Sequence, residues 1–131
     1  MSWGYHEAAG FGERHGWQGT RDPAAYLSVP RAIELHASFD LGRAKALADE
    51  AEERLGLYGL RPLRGKRSPL MRALTVRCPD PDPLQRRLYD EYRVEVPVYE
   101  WEGTTLLRVS IGPYNDESDL ERLAEALKEL L

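Results

Sequence analysis

Val94-Glu95-Val96-Pro97-Val98-Tyr99-Glu100-Trp101-Glu102-Gly103-Thr104-Thr105-Leu106-Leu107-Arg108-Val109-Ser110-Ile111 decides the fold. Val94, Val96 and Val98 recur at every second position, and so do Leu107, Val109 and Ile111 beyond Glu102-Gly103. A period of two sends successive side chains to opposite faces, so each run reads as a half-buried strand. A glycine-containing pair between two such runs is a hairpin turn. The stretch is expected to be an antiparallel hairpin with one apolar face, and that face needs a cover.

Helices on either side supply it. Leu84, Leu88 and Tyr92 share a helical face ahead of the hairpin, and Asp82-Pro83 has the form of a cap followed by a first-turn proline. After the hairpin, Leu120, Leu123, Ala124, Leu127 and Leu131 make the stripe of a closing helix. Leu41, Ala44, Ala48, Ala51 and Leu55 make another, opened by Asp40 and stopped near Gly56. Arg61 to Arg67 reads as a basic turn, and Leu70 to Arg77 as a strand ended by Pro79, Pro81 and Pro83. From Pro23 the pattern is helical, with Pro30 starting a second segment. The order is α+β: an α/β sandwich in which a small antiparallel sheet carries helices packed on one face.

Composition narrows the function classes. A chain of 131 residues holds one modest core. Its net charge of −4 speaks against nucleic acid as a partner, which would favour a strongly basic face. No apolar run approaches the ~20 residues that cross a bilayer, so no membrane partner is expected. Met1 to Glu7 is neither basic nor followed by an apolar stretch, which is not the pattern of a secretory signal, and the single cysteine, Cys78, makes no internal disulfide. A cytoplasmic location is the expectation. His6, His15 and His36 lack the short spacings of a zinc site, so no metal is expected. Tyr89, Tyr92, Tyr99 and Trp101 read as core and edge packing.

Two motifs carry chemistry. In Trp17-Gln18-Gly19-Thr20-Arg21-Asp22-Pro23 a loop hands over to a helix. Gly19 lets backbone approach a ligand, Thr20 offers an N–H and a hydroxyl to an anion, and Asp22 and Pro23 suit the helix entrance. The second motif is Leu106-Leu107-Arg108-Val109-Ser110-Ile111-Gly112-Pro113-Tyr114-Asn115. Leu107, Val109 and Ile111 share one face of a strand, so Arg108 lies on the other, and its planar fork suits a carboxylate.

Gly-Thr-Arg-Asp-Pro, then Leu-Arg-Val-Ser, then Tyr-Asn before a terminal helix, resembles the C-terminal part of class V aminotransferase-fold enzymes, which use pyridoxal phosphate (PLP). Leu84 to Val98 is most similar to their isopenicillin N epimerase-like branch. The likeness spans essentially the whole chain but about the last third of such an enzyme. It implies that Arg108 holds the α-carboxylate of an amino-acid substrate. It implies that Thr20, with Gly19, reaches a PLP phosphate across a dimer interface. Residues 1–22, irregular in pattern, then belong with a large domain, and 23–131 form the small C-terminal α+β domain. The Schiff-base lysine of such enzymes has no counterpart here. Lys45 and Lys128 sit on polar helix faces and Lys66 in the basic turn, so no catalytic residue is assigned and the isolated chain is expected to be inactive. PLP is expected in the full-length or reconstituted enzyme and not on this chain alone. The implied partners are the missing large domain or subunit, the amino-acid substrate and a second protomer in a homodimer. The alternative is a stand-alone, non-catalytic interaction or self-association module.

Overall fold

Glu102 and Gly103 both take positive φ, 49° and 73°. That is the backbone of the two-residue hairpin turn whose twist matches its flanking strands. In the computed structural model, which describes Gly10, Phe11 and residues 22–131, this turn joins two antiparallel strands, as the alternation predicted. Glutamate is an unfavourable occupant of a left-handed position that asparagine tolerates. Glu102→Asn is therefore expected to raise stability by about 1 kcal/mol. An unchanged or lower thermal midpoint would show that the turn holds no such strain.

The described elements run in chain order as α1 (Ala24–Leu27), α2 (Val29–Ala37), α3 (Leu41–Gly56), β1 (Arg61–Pro62), β2 (Met71–Thr75), α4 (Pro81–Tyr92), β3 (Val98–Trp101), β4 (Thr104–Ser110) and α5 (Glu117–Leu130). They fall into two units, Met1–Phe39 and Asp40–Leu131. In the first, Asp22 Oδ1 accepts the Ala24 N–H at 2.9 Å, and Pro30 occupies the first turn of α2, where its missing N–H costs nothing.

The second unit holds the sheet, in the order β1-β2-β4-β3 with antiparallel neighbours. Leu107 stands between Leu74 on one side and Val98 on the other. These residues, with Val76, Val109 and Ile111, pack into one core with Leu55 of α3, Leu88 of α4 and Leu127 of α5. The other face carries no helix of this unit, consistent with the one-sided cover expected from sequence.

Several boundaries differ from the sequence pattern for local reasons. Helix α4 opens at Asp80, whose carboxylate accepts the Asp82 N–H at 3.2 Å with Pro81 next. The expected Asp82-Pro83 start repeats the same signal two residues later. Val94 to Pro97 do not join β3, because Pro97 has no N–H to return to its neighbour. The chain leaves α4 instead through Arg93 in the left-handed region (φ 58°), with Arg93 N–H donating to Tyr89 O and Val94 N–H to Leu88 O. The basic turn yields one short strand at Arg61–Pro62, beside the buried Leu60. Proline is tolerated there because the strand is at the sheet's edge. On α3, Leu47 is buried while Leu41 is exposed. Leu131, expected in the closing stripe, is exposed, as are Tyr89, Tyr99 and Trp101.

Arg72 sits on the helix-facing side of β2 and is only 4% exposed. It donates to the carbonyls of Ser68 and Met71 at 2.7 and 2.8 Å and to Asp49, and its Nε lies 3.4 Å from Glu52. Arg67 reaches the same glutamate at 2.7 Å. The network ties the basic loop and the start of β2 to α3. Arg72→Ala, which leaves Glu52 to Arg67 alone and empties a buried position, is expected to cost about 3 kcal/mol, and Arg72→Met, which refills the volume without the charge, distinctly less. Equal losses in urea unfolding would show that the lost charge and hydrogen bonds, not side-chain volume, set the cost. Hydrogen bonds from Lys45 and then Arg72 hold the Asp49 carboxyl below its usual range. That stabilisation is full above the unfolded-state pKa and is lost as pH falls through the lower folded value.

Candidate functional site

Arg108 lies in the middle of β4, on the face away from the helices. Its backbone N–H donates to Pro97 O at 3.0 Å, and Ala73 stands opposite it on β2. The methyl of Ala73 leaves room beside the guanidinium. The side chain is half-buried, and its Nε is shielded from solvent without a hydrogen-bond partner among the described residues. No carboxylate pairs with it among the described residues, whereas Arg31, Arg43, Arg54, Arg67, Arg72 and Arg87 all have acidic partners. A buried, unsatisfied donor of this kind is costly unless something fills it. A ligand carboxylate would do so bidentately.

The face around it is apolar. Leu106 is 2% exposed yet stands outside the main core, while Tyr99, Trp101, Met71 and Leu63 remain exposed. Beyond β4 the motif residues set the exit of the strand. Asn115 Oδ1 accepts the Gly112 N–H at 2.8 Å, and Asn115 Nδ2 donates to Asp119 at 2.9 Å. A Cβ on Gly112 would fall 2.6 Å from the ring of the exposed Tyr114, which would have to swing aside. Asp116 then caps α5, accepting the Ser118 N–H at 2.9 Å.

Gly19 and Thr20 lie outside the described residues. The lysines offer no place for a covalent cofactor: Lys45 pairs with Asp49 at 2.9 Å on an exposed helix face, and Lys66 and Lys128 are exposed. Among the described residues, then, Arg108 offers a fork that suits a carboxylate, and no lysine is placed to attach PLP. Cys78 packs against the core and donates to Asp80 O at 2.9 Å, a structural setting. No group of His, Cys, Asp and Glu among the described residues is arranged to hold a metal ion. No described helix is long and apolar enough to cross a membrane. Sequence reasoning passed over Arg72, although its place two residues before Leu74 puts it on the core face of its strand.

No protein-family model matches the chain. Over 122 residues it is 43% identical to isopenicillin N epimerase of Amycolatopsis lactamdurans and 32% identical to that of Streptomyces clavuligerus, in each case across 86% of this chain. This chain belongs with the class V aminotransferase-fold proteins, in their isopenicillin N epimerase-like branch. It spans 31% of the length of those two relatives and corresponds to a C-terminal portion. Solved structures agree on the architecture. A cysteine desulfurase of Escherichia coli superposes with a TM-score of 0.68 at 26% identity, covering 86% of this chain and 32% of that one. An alanine–glyoxylate aminotransferase of Nostoc sp. gives 0.59 at 25% identity over 68% of this chain and 25% of that one. An 8-amino-7-oxononanoate synthase of Francisella tularensis, 18% identical, shares the fold, with a TM-score of 0.66 over 91% of this chain and 36% of that one. These structural neighbours are PLP-dependent enzymes.

Proposed function

We propose that this class V chain is the small-domain part of a PLP-dependent transferase or epimerase-like enzyme. Its task is to present Arg108 to the α-carboxylate of an amino-acid substrate. The observation that carries this reading is the half-buried guanidinium whose Nε has no partner among the described residues. PLP supplies electron withdrawal from the substrate's α-carbon when it is bound. The lysine that carries it belongs to the larger part of the relatives' length that this chain does not span. Residues 1–22, with Gly19 and Thr20 toward the cofactor phosphate, belong with that larger domain, and 23–131 form the small domain. The assembled enzyme is a cytoplasmic homodimer, and this chain alone is inactive. Arg108 binds and orients. The apolar residues around it exclude water once the larger domain covers the sheet, which strengthens the ion pair.

The test is reassembly in trans. The larger domain of such an enzyme, loaded with PLP and mixed with this chain, should give a coloured complex whose spectrum responds to an amino acid. A larger domain that holds PLP but never this chain would rule the proposal out. The exposed Tyr99, Trp101 and Met71 favour one further reading, a stand-alone module that associates with itself through this face. A strictly monomeric chain at high concentration would exclude it.

A further inference from the structure

Residues 93–97 run between two cavities, one of about 610 Å³ beside α4 and one of about 160 Å³ beside β4 and α5. The span is tied at both ends. Val94 N–H donates to Leu88 O at 2.9 Å, and Pro97 O accepts the Arg108 N–H at 3.0 Å. Between these ties the N–H groups of Glu95 and Val96 find no protein acceptor among the described residues, and the Glu95 carboxylate pairs with no cation there. Past Leu107 the neighbouring edge of β4 is bonded, among the described residues, only through Arg108 N–H. Of the two strap donors the existing register turns Glu95 N–H toward Ser110, while Val96 N–H faces away from β4 as that of Val98 does.

The register already present says what closing the gap would do. Continuing from Val98↔Leu107 sets Pro97 against Arg108, Val96 against Val109 and Glu95 against Ser110. Val94 and Val96 would keep the core side on which they already pack. Glu95 would join Arg108 on the open face, at the diagonal spacing of about 7–8 Å that long side chains bridge. Pro97 withholds a single bond, which weakens closure without forbidding it.

We infer that the 93–97 strap exchanges between its open position and a closed one on β4 that places the Glu95 carboxylate on the Arg108 guanidinium, and that an incoming carboxylate competes with the closed form. Glu95 is then a positioning residue. It keeps the guanidinium on the open face between turnovers and selects against ligands too weakly acidic to displace it. The inference rests on the reading of Arg108 as the carboxylate-binding group.

The full chain suffices for the test, by NMR of the Arg108 Nε–H, assigned through its loss in Arg108→Lys, with acetate as the probe. Glu95→Gln is expected to speed exchange of the Arg108 Nε–H with water by about tenfold or more, and to lower protection of the Ser110 amide. It should also bind acetate several-fold more tightly than the unaltered chain. Equal exchange and equal acetate affinity in the two proteins would overturn the strap. Acetate that shifts the Arg108 signal in neither protein would instead overturn the carboxylate reading, while the exchange comparison still decides the strap.

Discussion

Arg108→Ala is expected to raise the KM for the amino-acid substrate by about a hundred- to a thousand-fold in enzyme reassembled with its larger domain, with the bound cofactor's absorbance unchanged. The expectation follows from where the guanidinium sits. It is half-buried on a sheet face that the larger domain would cover, it has no acidic partner among the described residues, and its Nε is already out of water. A carboxylate bound there gains a desolvated, charge-assisted pair, and its loss strands the substrate's negative charge in an apolar site. Arg108→Lys keeps the charge but loses the fork, so it should recover only part of the defect. A KM within about threefold of the unaltered enzyme for the alanine variant would assign the carboxylate to another group. A loss of cofactor absorbance would show that the substitution disturbs assembly rather than substrate binding.

The hairpin, the closing helix and the side of the sheet on which Arg108 lies were all legible, because each depends on a period that a linear chain displays. Val98 to Ser110 is such a case: the alternation and the Glu102-Gly103 turn suffice. The errors came where two local signals competed. Val94 and Val96 alternate correctly, but Pro97 removes the bond that would hold them in the ladder, and the Arg93 turn closes α4 instead. Asp80, Asp82 and their prolines offer overlapping helix starts, and which one wins depends on where Leu84 and Leu88 meet the core. Arg72 was missed for a different reason. An arginine at a core-facing strand position is tolerated only because Asp49 and Glu52, a turn apart on α3, fold back to meet it, and that meeting is tertiary. The candidate site was legible through resemblance more than through chemistry: one arginine on a strand is common, and its missing counter-ion appears only in three dimensions.

Leu107→Ala should be the most damaging single truncation in the core, costing about 2–5 kcal/mol. For a domain of this size that lowers the thermal midpoint by roughly 10–30 °C. Leu107 is fully buried on an interior strand, fixed between Leu74 and Val98 and packed in the same core as Leu55, Leu88 and Leu127. Helices close over that face, so the vacated volume cannot be refilled without moving them, and water gains little by entering. Its neighbour Leu106 makes the informative contrast. It is 2% exposed but belongs to the open face, outside the main core. A hole there lies beside the exposed Tyr99 and can be relieved by side-chain movement, so Leu106→Ala should cost the free chain distinctly less than Leu107→Ala. If the larger domain seats on this face, the ranking tightens on assembly, because Leu106 then packs on both sides. Urea unfolding of the free chain gives the first comparison, and the affinity of each variant for the larger domain gives the second. Equal losses for the two leucines in the free chain would mean that the open face is already closed. A Leu106→Ala variant that binds the larger domain as tightly as the unaltered chain would place the contact elsewhere.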